Sequence, residues 1–199
     1  MLIHESKLCL IFLIYDKKNS MLVIDIYGSP SSGKSTLATF LFSQLKMRNI
    51  KCELVTEFAK DLVWDNCYDA LHDQAYLFGN QYHRLSRLEG KVDVAIVDSP
   101  LMLNAIYNHN DRLGEQFNKL VIDVAKKFNS LSYFLKPFDN SFEEIGRVHS
   151  SNESKSISCR ILKMLNDENI DFKTIDHDEK TYMNIVDDVV RKMNPYDAI

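Results

Sequence analysis

The sequence predicts an α/β fold in which a parallel sheet of about five strands carries helices on both faces. Three observations predict it. Short apolar runs rich in β-branched residues, LVIDIY (22–27) and VDVAIVD (92–98) foremost, read as buried strands. Longer segments between such runs repeat their apolar residues at helical spacing. Strand and helix then alternate along the chain, which implies parallel pairing through right-handed crossovers. In such sheets ligands sit beyond the carboxyl ends of the strands.

Taken in order, the first twenty residues stand apart. LCLIFLIY (8–15) is the one continuous apolar run that suggests a membrane, but it is shorter than the about 20 residues a spanning helix needs. Glu5 and a single Lys7 make a poor flank for a signal peptide. The segment 1–20 therefore reads as an N-terminal extension, either an extra strand or leader upstream of a start at Met21. Residues 21–199 are expected to form one domain, since 45% apolar residues supply ample material for a single core.

Within that domain the strand 22–27 ends at Gly28, and a helix over 34–48 is marked by Leu37, Ala38, Leu41, Phe42 and Leu45. CELVT (52–56) is a second strand, followed at once by a helix beginning FAKDLVW. Residues 70–88 read as one helix with Leu71, Ala75, Phe78, Tyr82 and Leu85 on its apolar face. After the strand 92–98 come a helix over 113–128 and a strand over 131–135. The polar stretch 136–155 is a candidate lid. A helix over 156–168, the strand DFKTI and a helix over 180–193 complete the chain.

Charge and cysteine usage narrow the function classes. Twenty-four basic and 28 acidic residues give a net charge of −4 with no long run of either sign, which argues against a dedicated nucleic-acid surface. Cys9, Cys52, Cys67 and Cys159 are scattered without metal-ligand spacing, as expected of reduced thiols in a cytoplasmic protein.

The nine residues GSPSSGKST (28–36) carry the most specific signal. Gly28, Gly33, Lys34 and Ser35 meet the pattern G-x-x-x-x-G-K-[ST]. Such a loop wraps a phosphate with main-chain N–H groups at a helix N-terminus, so the intervening residues need not be glycine. Gly28 and Gly33 supply close approach, while Ser29, Pro30, Ser31 and Ser32 need only turn their side chains aside. Lys34 is placed to neutralise the β- and γ-phosphates of ATP and Ser35 to offer a hydroxyl to Mg2+, and Thr36 completes the nucleotide-binding stretch. The expected architecture is thus a three-layer P-loop NTPase fold.

Asp98 closes an apolar strand, where a carboxylate can meet Mg2+ or its water shell; a turn aspartate before Ser99-Pro100 is the alternative. Glu57 ends the second strand, where it can take a proton from a substrate hydroxyl or serve as a helix-start glutamate favoured by the dipole. Asp61, one turn on, orients substrate or is solvated. Gln74, Gln81, Arg84 and Arg87 share helical spacings and either reach an acceptor or form a solvated face. Arg147 is a candidate lid arginine or a surface residue.

Together GSPSSGKST, ELVTEFAKDLVW, DQAYLFGNQYHRLSRL, VDVAIVDSP and GRVHSSNES resemble the P-loop ATPase/kinase family common in tailed bacteriophages, over about residues 21 to 176. That family is similar to the kinase domain of nicotinamide riboside kinases and, more distantly, to nucleoside and nucleotide kinases. Relatives usually carry more glycine in the loop and a glutamine in place of His149. The resemblance implies an ATP- and Mg2+-dependent phosphotransferase acting in the cytoplasm, that of the host if phage-encoded. The expected acceptor is a small nucleoside-, nucleotide- or nicotinamide-riboside-like molecule. A P-loop ATPase that switches a protein partner is the rival expectation, and a membrane role is not expected.

Overall fold

The computed structural model describes residues 21–108, 112–137 and 151–193. Five strands, β1 (Leu22–Tyr27), β2 (Cys52–Val55), β3 (Val94–Val97), β4 (Asn129–Leu135) and β5 (Phe172–Ile175), form one sheet in the order β2-β3-β1-β4-β5. Every neighbouring pair is parallel. Among the described residues six α-helices connect the strands and a seventh follows the last: α1 (Lys34–Met47), α2 (Phe58–Trp64), α3 (Gln74–Ser86), α4 (Leu103–Tyr107), α5 (Gly114–Ala125), α6 (Ser151–Asp167) and α7 (Glu179–Met193). The expected α/β class and five-stranded parallel sheet are what the chain forms.

Residue alternation along β1 sorts the two faces. Leu22, Ile24 and Ile26 pack with Leu37, Leu41 and Leu45 of α1 and with Ile185, Val186 and Val189 of α7. Phe40 and Tyr182 join the same two helices, with ring centroids 5.6 Å apart. On the opposite face Val23 lies in a cluster with Ala95, Val97 and Leu85, and Tyr27 in another with Met102, Phe134 and Ile161. Each such side chain, once fully buried, stabilises the fold by about 1.5–3 kcal/mol. Asp25 stands between those two clusters in β1, and burial pushes its carboxyl up to about 6.

Three expectations need correcting. The helix read over 70–88 is two elements, a 3₁₀ turn at Tyr68–His72 and α3, parted at Asp73. Asp73 caps α3 by accepting a hydrogen bond at Oδ1 from the Tyr76 N–H at 3.0 Å, and such a cap starts a new helix. The buried stripe of α3 is Gln74, Leu77, Gln81 and Leu85. Tyr82, expected on the apolar face, is 40% exposed. The last lid residues, 151–155, are already helical, because α6 begins at Ser151. Their polarity disguises a turn in which Ser154 is buried. Of the rest of the expected lid, Lys136 and Pro137 follow β4, while 138–150, like the extension 1–20, lie outside the described residues. Helix α4, which the sequence reading passed over, follows β3 and lines the functional cleft.

Candidate functional site

Parallel register brings the functional segments to one edge. Val97 of β3 pairs with Asp25 of β1 and with Val55 of β2, so the chain leaves all three strands close to the same level. Gly28, Glu57 and Asp98 follow within a few residues of that row. The Asp98 N–H donates to the Val55 carbonyl at 3.1 Å, tying two of these exits together.

At the end of β1 a Cβ on Gly28 would collide with the Ser32 Oγ and sit 3.1 Å from the Leu135 carbonyl oxygen. Ser32 fills the space that glycine leaves, and its N–H donates to the Ser29 carbonyl at 3.2 Å, closing the Pro30-Ser31 turn. Gly33 precedes α1 in the left-handed region, with φ 84° and ψ 14°, and brings no side-chain cap. The first helical bond runs from the Leu37 N–H to the Gly33 carbonyl at 3.0 Å. The N–H groups of Lys34, Ser35 and Thr36 thus have no partner within the helix, and its first turn holds no acidic residue. An anion placed there meets donors and the positive end of the helix dipole. Lys34 is 7% exposed and its Nζ donates to the Ser29 carbonyl at 2.9 Å.

The Ser35 Oγ donates to Asp98 Oδ2 at 2.6 Å. Asp98 is buried, and its second oxygen, Oδ1, has no hydrogen-bond partner in the structure. An orphaned carboxylate oxygen beside a hydroxyl oxygen is a donor set that fits Mg2+, a hard cation that is usually held by one or two carboxylates together with nucleotide phosphates and water. Among the described residues no group of three His, Cys, Asp or Glu side chains could hold a metal without a nucleotide.

Next to the loop lies a cavity of about 410 Å³, whose wall includes Pro30, Lys34, Glu57, Phe58, Gln81 and Tyr107. Glu57 is the residue before α2, with φ −65° and ψ 118°, and makes no capping bond. It lines the same cavity as Lys34.

Arg84 reaches across to this segment. Its guanidinium donates to Asp61 Oδ2 at 2.5 Å and to Thr56 Oγ1 at 3.2 Å, and lies 4.8 Å from the centroid of the Phe58 ring. Asp61 is therefore paired, and Arg84 serves α2 and not a bare solvated face. Arg87 is exposed at the end of α3. Gln74 and Gln81, for which a solvated face was one of two readings, are buried in the cavity wall. Their seven-residue spacing, with Leu77 between, was the available signal. Ser154, the last residue of the GRVHSSNES segment and not itself singled out in the sequence, donates from Oγ to the Pro30 carbonyl at 3.0 Å and fastens α6 to the phosphate loop. Arg147 lies outside the described residues.

The family model described as an AAA domain matches residues 23–180, well over half the chain. No curated protein matches it. Among solved structures, the chain is similar to a deoxyadenosine kinase from M. mycoides with bound dCTP, at 14% identity and a TM-score of 0.54, covering 85% of this chain and 98% of that one. It is also similar to a shikimate kinase from Acinetobacter baumannii in complex with shikimate, at 9% identity and a TM-score of 0.50, covering 90% and 96%. At such identities the likeness is one of fold. No helix among the described residues is long and apolar enough to cross a membrane.

Proposed function

The chain belongs to the AAA domain family, and on that premise we propose that it transfers the γ-phosphate of ATP to a small-molecule acceptor. The observation that carries this reading is the joined cavity: a walled space of about 410 Å³ opens directly onto the phosphate loop, with Lys34 and Glu57 in the same wall. That volume lies within the usual range for small-ligand sites. A switch ATPase needs only water at the γ-phosphate and has no use for such a space.

In this reading the main-chain N–H groups from Gly28 through Thr36 hold the phosphates, with Ser29, Pro30, Ser31 and Ser32 shaping the loop. Lys34 leaves the Ser29 carbonyl to bind the β- and γ-phosphates. Ser35 and Asp98 would hold Mg2+, which supplies positive charge to the phosphate oxygens. Glu57 accepts the proton of an acceptor hydroxyl as its oxygen forms a bond to the γ-phosphorus. The bond from that phosphorus to the bridging oxygen breaks, and ADP leaves. Arg147, from the segment before α6, is assigned to the phosphates as a lid residue. The acceptor is nucleoside-, nucleotide- or nicotinamide-riboside-like, as the family resemblance implies, and the same resemblance suggests a tailed-phage origin and action in the host cytoplasm.

The test is a screen of nucleosides, nucleotides and nicotinamide riboside for an ATP-dependent mass gain of one phosphate. One such product, with little ATP hydrolysis in its absence, is expected. ATP hydrolysis stimulated by a protein, with no metabolite phosphorylated, would replace this reading with the switch.

A further inference from the structure

The phosphate loop turns without the glycine that such a turn calls for. The Ser32 N–H donates to the Ser29 carbonyl at 3.2 Å, so residues 29–32 form a β-turn with Pro30 and Ser31 at its two central positions. Ser31 has φ 62°, in the left-handed region. Proline fixes its own φ at about −65°, which leaves type II as the turn with a positive φ at the second central position alone. Type II turns favour glycine there, because a side chain in that conformation is strained. Pro-Ser by itself suits the type I turn, in which both central residues take ordinary negative φ values.

The two turns differ by a half-rotation of the peptide between Pro30 and Ser31. In a planar trans peptide the carbonyl and the N–H point in opposite directions, so a group that holds the Pro30 carbonyl also aims the Ser31 N–H. That group comes from far along the chain: the buried Ser154 of α6 donates from Oγ to the Pro30 carbonyl at 3.0 Å. Helix α6 is a firm support for it. Ile157 and Ile161 pack in one cluster with Tyr27, the residue before Gly28, and the Arg160 guanidinium donates to the Ile106 carbonyl of α4. The preceding carbonyl, that of Ser29, is taken by the Ser32 N–H and by Lys34 Nζ. Both carbonyls at the bend thus face protein donors, which leaves the N–H side of the loop for an anion.

We propose that Ser154 is a positioning residue for nucleotide binding: its hydrogen bond holds the Pro30–Ser31 peptide in the strained type II orientation, with the Ser31 N–H turned toward the phosphates. Without that bond the peptide relaxes to the type I orientation, Ser31 returns to negative φ, and the Pro30 carbonyl turns toward the anion in place of a donor. This rests on the phosphate-binding part of the reading above and not on the identity of the acceptor.

Calorimetric titration of the full chain with Mg2+ and a non-hydrolysable ATP analogue tests it. Ser154→Ala should weaken binding about three- to tenfold, the loss expected from one net hydrogen bond. Two comparisons separate positioning from packing. Ser158 is buried one turn further along the same face of α6, and its Oγ makes no hydrogen bond among the described residues. Ser158→Ala should therefore leave the affinity unchanged. Ser31→Gly removes the strain, since glycine takes positive φ readily, so Ser154→Ala in the Ser31→Gly background should cost less than about twofold. Thermal melts establish that each variant is folded, and if Ser154→Ala is not, Ser154→Cys, of similar size with a weaker donor, decides.

Unchanged affinity in the folded Ser154 variant overturns the proposal. So does an equal loss in Ser158→Ala, or a loss from Ser154→Ala that is as large in the Ser31→Gly background. If the wild-type chain binds no ATP analogue, the phosphate-loop reading and the proposal fall together. The affinities expected here, with no metabolite phosphorylated in the acceptor screen, would remove the phosphotransferase and leave the role of Ser154 standing.

Discussion

Arg84 holds the segment on either side of Glu57, through Thr56 before it and Phe58 and Asp61 after it. If Glu57 is the base, Arg84 is a positioning residue. Arg84→Met should lower turnover by about tenfold while leaving ATP affinity within about twofold, because the clamp touches the acceptor side only. Arg84→Lys should restore little, since an ammonium cannot serve the carboxylate and the hydroxyl in the same fork geometry. Equal losses in ATP binding and turnover would point to a general folding defect. Asp98 makes a different demand. Asp98→Asn should raise the Mg2+ concentration for half-maximal activity by about tenfold or more, as would be measured in a metal titration at saturating ATP, and an unchanged midpoint would remove Asp98 from the metal. The shape of the loop from Gly28 through Ser35 was legible because the motif spacing encodes a main-chain conformation, and the position of Asp98 because it closes an apolar strand. The Arg84 pairing and the buried glutamines were not, because polar residues on a helix read as solvated until tertiary contacts show what covers them.

At the scale of elements, the strands and the first helix were readable to within about two residues, since LVIDIY and the VAIV within VDVAIVD carry continuous burial that only a covered parallel strand needs. Boundaries failed where a local hydrogen bond outranked periodicity. Asp73 divides one apparent helix, and Ser154 extends another toward the phosphate loop. Two glycines make opposite predictions about their elements. Gly28→Ala should destabilise the protein by about 1–2 kcal/mol and weaken ATP binding, since the new methyl meets Ser32 and the Leu135 carbonyl. Gly79 sits in α3 with nothing within 4 Å of a Cβ, so Gly79→Ala should stabilise by about 0.5–1 kcal/mol. Urea denaturation of the two variants is the check, and the same sign of change in both would show that the loop is not tightly packed around Gly28.

For the whole molecule, alternation of strand and helix gave the parallel sheet, but the order β2-β3-β1-β4-β5 depends on long-range pairing that no local pattern encodes. That order puts β1 at the centre and Asp25 within the apolar face. Burial raises its folded-state pKa from 3.8 to about 6. The native state therefore binds the proton more tightly than the unfolded chain, and stability from this group is lost as pH rises from about 4 to about 6. Asp25→Asn removes the effect: its stability relative to wild type should improve between pH 4 and pH 7 by an amount on the order of 2 kcal/mol. A difference between the two proteins that is constant with pH would contradict it. The central claim is that phosphate passes from ATP to a small molecule in the cavity beside Lys34 and Glu57. Its most direct test measures acceptor phosphorylation by wild type and Glu57→Gln alongside their ATP dissociation constants. Turnover should fall by about 10²-fold or more with ATP affinity nearly unchanged. Full transfer by Glu57→Gln would contradict the account.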